Sequence, residues 1–456
     1  MTDEKRITAF SEAASIASDD FLIIDSPTAG TRKFPAGKLA MASQTAASAQ
    51  LEGWSQTAAQ VHAGFGPVYF PTSSQIESEQ WSTYPSSSGS KSTYDALLDV
   101  VHHRTATLGT GDTLPVMELQ MHYCLPFDTM FSNYQAFLYS VNGLPAGTYN
   151  VTMGFGWGTN VVSGKTYQFT LTQALPAGGQ LAGFEGAPDQ APSNWRVKAY
   201  ASQTATSPTE TVTPTEGSSG TSLGTFTAAG VAVPASGTPS STSSVTVGGT
   251  TYTYYGLNSL HRVAYGNNRW LHSAVRQYLN SFGYGWWTPA TVFDRPPAYV
   301  DRQGFLSGWS EDFVAHIRPI LRKTALNYVT DGGTSGSPLY DETYDRFTLP
   351  SGIEHYLQDT SSYGGAQGQE GVAWDYWKSV ANTSSALGWS TWGNTATYHP
   401  EYVQYDIASH STARSVWMRS AGRGTGSGVA YVSSAGYCGN YAAVYGYRVA
   451  PACAIG

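Results

Sequence analysis

Short β-rich blocks, most of them alternating apolar and polar residues, run through much of the chain. Phe21-Leu-Ile-Ile-Asp25, the turn Ser26-Pro-Thr-Ala-Gly30 and Thr31-Arg-Lys-Phe34 read as strand, turn and strand. Two strands alone are marginal, so the module predicted over 1–40 needs to oligomerise or dock on something larger. Over 41–66 the residues turn to Ala, Ser and Gln, which favour a helix; its thin apolar stripe marks a connector that packs on a copy of itself or on another domain. Between 67 and 250, Tyr134-Gln-Ala-Phe-Leu-Tyr139, Gly147-Thr-Tyr-Asn-Val-Thr-Met153, Lys165-Thr-Tyr-Gln-Phe-Thr-Leu171 and Trp195-Arg-Val-Lys-Ala-Tyr200 are separated by Gly, Pro and Asn turns. They predict an antiparallel β-sandwich as the middle domain. The Ser/Thr-rich run from Thr204 to Ser244 reads as long exposed loops.

The period changes at 251–456. Trp270, Leu271, Ala274, Val275, Tyr278 and Leu279 share one face of a helix predicted over 268–280. Ser351 and Glu354 stand three apart, the spacing of a capping box that opens a second short helix. With loops and short strands around a Trp/Tyr-rich core, this last domain is expected to be α+β. The fold class is thus multidomain: a small N-terminal β module, a helical connector, the sandwich and the α+β domain.

Charge removes several functions. The chain has 456 residues, 24 Lys and Arg against 32 Asp and Glu, a net charge of −8 and no basic run. That leaves no footprint for nucleic acid or an anionic membrane. Phe21-Leu-Ile-Ile24 is far short of a membrane span, and the charged start Met1 to Phe10 lacks the apolar core of a signal peptide, so synthesis in the cytoplasm is expected. Cys124, Cys438 and Cys453 are too far apart for a CxxC metal site and odd in number, so they read as buried thiols.

The stretch 420–449 is the most informative. Tyr, Ser, Gly and Asn make 17 of its 30 residues, and it holds no acid and no lysine. This is the vocabulary of antibody paratopes, rigid amphipathic rings among small adaptable hydrogen-bonders. A Gly/Tyr-rich closing hairpin of a β-domain has the same composition, so the two readings stay side by side. A template of Asn codons AAY altered only at its adenines yields Tyr, Ser, Gly, Ala, Val, Cys, Arg and Thr but never Trp, Met, Lys, Glu or Gln. None of those five occurs in the stretch, although Trp417 and Met418 lie just before it.

Two resemblances follow. Asp19-Asp-Phe-Leu-Ile-Ile-Asp25 with Gly30-Thr-Arg-Lys33 and Lys38-Leu39 resembles the N-terminal modules of bacteriophage head- and tail-fibre proteins, although an ordinary hairpin at a domain start reads the same way. Gly285-Trp-Trp-Thr-Pro289, Phe293-Asp-Arg-Pro-Pro297, Glu311-Asp-Phe313, Asp345-Arg-Phe-Thr-Leu-Pro-Ser351, Met418-Arg-Ser420 and Tyr447-Arg-Val-Ala-Pro-Ala-Cys453 resemble the variable proteins of diversity-generating retroelements in gut bacteria and their phages. That resemblance implies a C-type-lectin-like C-terminal domain, related to the formylglycine-generating-enzyme fold, whose ligand-binding side chains lie between Met418 and Tyr447. Carried over, it makes Arg423, Thr425, Ser427, Tyr431, Ser433, Tyr437, Asn440, Tyr441 and Tyr445 the candidate contacts, with Trp417, Arg419, Arg448 and Pro451 as scaffold. It implies binding without chemistry, a host bacterial surface protein or glycan as partner, attachment to other virion proteins through the N-terminal module, and a homotrimer that gains avidity.

Catalytic alternatives find little purchase. Asp341, Glu342 and Asp345 are carboxylates of a kind hydrolases and calcium sites use, but acids near the Gly332–Ser337 turn ordinarily mark a solvated loop. His102-His103 belongs to no HExxH pattern, no GxSxG occurs, and Gly332-Gly-Thr-Ser-Gly-Ser337 lacks the lysine of a phosphate loop. No metal and no cofactor is expected. The expected function is host attachment by a virion protein; the alternative is a capsid- or tail-decorating protein without diversified binding.

Overall fold

The computed structural model describes residues 21–26, 30–35, 54, 61, 75–83, 92–156, 162–185, 190–357, 368–381, 386–387 and 399–456. It is β-rich, with several sheets and few, short helices. The hairpin is present: Phe21–Ser26 pairs antiparallel with Gly30–Pro35. Of the connector predicted over 41–66, only Trp54 and Val61 lie among the described residues, both in helical conformation. Both are buried in the core of the C-terminal half, where the Trp54 indole packs on Phe313 with ring centroids 4.6 Å apart and donates to Glu79.

Residues 136–256 form a sandwich. One sheet runs, edge to edge, Glu210–Val212, Val197–Tyr200, Gln180–Gly183, Ala136–Ser140, Thr250–Gly256 and Ser243–Val247; the other runs Thr215–Glu216, Thr166–Leu171, Gly147–Met153 and Thr221–Phe226. Phe137, Phe169, Phe184, Phe226 and Trp195 fill the space between them. Burial alternates along 166–171, inward rings against outward polar residues, and along 147–153 except at Asn150, which is buried on the outer face by donating to the carbonyls of Ser218, Ser219 and Gly220. The expectation of loops over 204–244 is corrected, because four strands cross or enter that run. All four are edge strands, where exposed Ser and Thr satisfy the ladder with few large apolar residues; one, Thr221–Phe226, pairs parallel with Gly147–Met153.

The start of the middle domain at 67 is also corrected. Ala452–Ile455, at the C-terminal end, pairs with Thr113–Met121, and their sheet continues through Ser92–Thr107 to Gln75–Thr83. Residues 75–131 therefore build one core with 270–456, and the sandwich interrupts that unit as an insertion. Local alternation finds strands, whereas sheet membership depends on register between segments more than 300 residues apart. The single helix expected over 268–280 is broken as well. Ser273 takes an extended conformation and its hydroxyl accepts from Arg276 N, so a 3-10 turn Trp270–His272 precedes a shorter helix, Ala274–Leu279. Five of the six predicted apolar positions are buried, and Leu271 is part-exposed. No helix of the described residues is long and apolar enough to cross a membrane.

Buried titratable groups give the fold a pH profile. Burial, reinforced by nearby arginines, pushes the His272 and His355 imidazoles down to about 3. Burial pushes Glu370 up to about 7 against the pull of Arg419. The two histidines contribute stability above pH 6.5 that is lost on acidification, because the unfolded chain takes up their protons first, at about 1.4 kcal/mol per pH unit for each. Glu370 acts oppositely: the folded state keeps its proton between pH 4.5 and 7, so its contribution grows as pH falls through that window. Urea midpoints are expected to decline gently from pH 6.5 to 4.5 and steeply below, where Glu370 no longer offsets the histidines. His355→Phe is expected to flatten the steep limb; an unchanged slope would contradict this assignment.

Candidate ligand-binding surface

The stretch between Met418 and Tyr447 folds as a three-stranded sheet, Val416–Ala421, Gly428–Val432 and Cys438–Ala442. Its two faces enter different cores. Val416, Met418, Ala430, Val432 and Cys438 face one; Trp417, Val429 and Tyr431 face the other. A sheet clamped on both sides is a rigid base for whatever projects from its end.

Tyrosines project from the Trp417 face in a gradient of exposure. Tyr431 is buried against Trp417; Tyr437, Tyr441 and Tyr447 are half-buried; Tyr445 is exposed. The rings touch one another: Tyr447 lies 4.5 Å from Trp417 and 4.9 Å from Tyr431, and Tyr445 lies 4.4 Å from Tyr441. The Tyr431 hydroxyl donates to that of Tyr437 at 2.7 Å. Burial pushes the Tyr431 and Tyr447 phenols well up, so they stay neutral donors at physiological pH. The outer rings thus offer a pre-packed apolar and hydrogen-bonding face whose geometry is fixed before any ligand arrives.

The other predicted contacts divide. Arg423 is a correction: it is fully buried, and its guanidinium donates to the carbonyls of Leu326, Thr334 and Ser335, tying the loop before Asp341 to the stretch. Ser427 and Ser433 are buried too, and the Ser433 hydroxyl accepts from Tyr437 N at 3.1 Å and Ala435 N at 3.2 Å. Thr425 is half-buried and its hydroxyl accepts from Gly428 N at 2.7 Å. These residue types are at once turn formers and paratope formers, and composition alone does not separate the roles. Asn440 alternates to the opposite face from Tyr441, against the glycine turn 422–428. The structure therefore gathers Tyr437, Tyr441 and Tyr445 over Tyr431 and leaves Thr425 and Asn440 elsewhere.

The positions named as scaffold are all interior. Trp417 donates from its indole to Thr129 O, Arg448 faces Asp128 and Asp406, and Pro451 O accepts from Met121 N. Arg419 ends a buried chain of alternating charges. It pairs with Glu354, which pairs with Arg322 at 3.1 Å, which pairs with Glu118 at 3.0 Å, which holds Arg104. Burial raises the Glu118 carboxyl, but Arg322 and Arg104 outweigh it and hold it down at about 2. Ser351 and Glu354 do form the reciprocal capping pair, Ser351 N to the carboxylate at 2.9 Å and Glu354 N to the hydroxyl at 3.1 Å.

A family model described as a domain of unknown function (DUF6273) matches residues 250–456. No curated protein and no solved structure matches the chain. The matched segment contains the whole tyrosine sheet and Glu354, but not the strands Gln75–Thr83 to Thr113–Met121 that complete its core.

Two contributors escaped the sequence reading. Tyr447, treated there as a boundary, is an integral ring of the cluster. Asn268 donates from one amide nitrogen to the carbonyls of Gly422 (3.3 Å), Thr425 (2.9 Å) and Gly428 (2.9 Å), fixing the glycine turn from 154 residues away or more. No local pattern announces such a contact. The candidate catalytic groups are structurally engaged: Asp341 takes both Nε and Nη2 of Arg269 at 2.5 and 2.7 Å, Asp345 holds Arg276 and Trp270, and Glu342 pairs with Lys323 at the surface. Among the described residues no cluster of His, Cys, Asp or Glu is arranged to hold a metal ion. All three cysteines are buried, and burial pushes the Cys124 thiol up to about 12.

Proposed function

We propose that this chain is a phage receptor-binding protein whose C-terminal half displays a diversified tyrosine face for attachment to a host-cell surface. The observation that carries the reading is the ring cluster Tyr437, Tyr441, Tyr445 and Tyr447, rigid beneath and accessible above. The stretch brings no free charge to it: Arg423 is spent on carbonyls and Arg448 on Asp128 and Asp406. Binding is then driven by ring burial and neutral hydrogen bonds, without catalysis. The N-terminal hairpin is the attachment to other virion proteins, and the assembly is a homotrimer in which three weak contacts act together. Light scattering on the intact chain is expected to give a trimer, and a monomer would contradict that part of the proposal.

The test is sequencing of the locus across a population that carries it. Substitutions are expected to concentrate at Tyr437, Tyr441 and Tyr445 and to trace to adenines of a nearby repeat. The buried Arg423, Ser427, Tyr431 and Ser433 are expected to change less, because each serves the fold. Sparse, uniform variation would instead favour a capsid- or tail-decorating protein with a fixed surface.

A further inference from the structure

The helix Asp375–Ala381 packs on the strand Ser92–Thr107 and is seated by one contact from each of four successive residues. Trp374 N donates to Glu354 O at 3.0 Å, Asp375 Oδ2 lies 3.2 Å from His102 Nδ1, the Tyr376 hydroxyl bonds to Asp99, and the Trp377 indole donates to Gln120 Oε1 at 3.1 Å. Trp374, Trp377 and Ala381 are buried, while Asp375, Lys378 and Ser379 face water. The strand beneath does not need the helix for its pairing: it is bonded on both sides, to Gln75–Thr83 and to Thr113–Met121.

Against the Trp377 ring lies His355, with centroids 4.4 Å apart. His355 is buried, and neither its Nδ1 nor its Nε2 has a hydrogen-bond partner. A neutral imidazole carries one N–H and a charged one two, so protonation in place doubles the unpaired buried donors and adds an unsolvated charge. The charge that reaches it, Arg419 on the strand Val416–Ala421, is itself a cation. Tyr402 spends its hydroxyl on His355 O at 2.6 Å, and Glu401 beside it pairs with His399 at 3.5 Å. Burial and Arg419 accordingly push the imidazole down to about 3.

We propose that this helix is an acid-released clasp. A proton settles on His355 only when Trp377 lifts and water follows, so acidification drives the helix off while the sheet beneath stays folded. The other ionisable groups at the seat do not reverse the sign. A charged His102 holds Asp375 more tightly, but the Asp375 side chain is 49% exposed and water screens the pair. Lys378 meets the same carboxylate at the surface, and Asp99 has a second partner in His122 at 2.8 Å. His103 is pushed down to about 4 by burial and His102 against the pull of Asp375, so it too resists a charge while the helix is seated. The clasp lies outside the tyrosine stretch and does not rest on the attachment reading.

With the helix seated His355 accepts its proton at about 3, and with the helix off at the ordinary 6.5, so the clasp is fully favoured above 6.5 and the fraction open rises by up to roughly tenfold per pH unit below it. Hydrogen exchange of the intact chain, read by mass spectrometry over 374–381 and corrected for intrinsic rates, is expected to show protection lower than over Thr113–Met121 and falling roughly tenfold per unit from about pH 6 to about pH 4.5. His355→Phe, which keeps a ring against Trp377, is expected to remove that fall. Asp375→Asn, at an exposed position, is expected to lower protection at every pH and to keep the fall; together with the wild-type profile it decides the matter should His355→Phe not fold. The proposal is overturned if 374–381 exchanges only together with 113–121, if its protection stays flat down to about pH 4.5, if His355→Phe keeps the fall, or if Asp375→Asn abolishes it.

Discussion

Glu354→Ala is expected to destabilise the C-terminal unit by about 3–5 kcal/mol, the cost of breaking a buried ion pair by removing one partner. The carboxylate holds Arg419 and Arg322 and also caps the turn through Ser351 N, so one substitution removes the carboxylate partner of Arg419, leaves Arg322 with Glu118 alone, and strands an N–H. Arg419 is fully buried and would be left with the carbonyls of Leu349 and Glu370. One response opposes the loss. The Glu354 charge helps keep the proton on Glu370, so removing it lets Glu370 ionise more readily beside Arg419. Urea unfolding followed by tryptophan fluorescence measures the loss, and its pH dependence separates the two effects: the contribution that Glu370 makes below pH 7 is expected to shrink in the variant. A loss under about 1 kcal/mol would mean that the alternating charges are exchangeable with neutral packing, as happens in some proteins when a whole buried pair is replaced.

The Ser351–Glu354 pair shows what a sequence discloses and what it withholds. Both residues lie within one turn, so their spacing alone predicts the reciprocal hydrogen bonds, which are present although the turn does not extend into a helix. The same carboxylate meets Arg322 and Arg419, 32 and 65 residues away, and nothing near Glu354 says so. The strands at 147–153 and 166–171 were legible because alternation is local. The pairing of Ala452–Ile455 with Thr113–Met121 was not, because register is decided by the whole core. Within the tyrosine stretch, composition marks a ring-rich segment, but it does not distinguish Tyr431, pressed on Trp417, from Tyr445 in solvent. Arg423 is the sharpest case. A guanidinium in a Gly/Ser-rich run reads as a contact residue until three backbone carbonyls are found around it.

Tyr441→Ala with Tyr445→Ala is expected to abolish attachment while leaving the unit folded. Two adjacent rings at the centre of a contact each commonly contribute about 2 kcal/mol or more, so their joint loss weakens binding by roughly a thousandfold. The stability cost is graded by exposure. Tyr445 is 44% exposed and its removal uncovers only the edge of Tyr441, whereas Tyr441 packs on Tyr431 and Tyr447 and its loss is felt by the core beneath. Tyr445→Ala alone is therefore the cleaner variant: melting unchanged, binding reduced. Tyr431→Ala is the informative opposite, because that ring bridges Trp417, Tyr437 and Tyr447 and its removal is expected to cost about 3 kcal/mol or more of stability. Binding of cells or of an isolated surface fraction, measured beside thermal melting, resolves the two effects. Because the face carries no free charge, the wild-type affinity is expected to change little between low and physiological salt, unlike that of a steered ionic contact. A steep salt dependence would move the contact away from the tyrosines, and a Tyr445 variant that binds fully would remove the outermost ring from it.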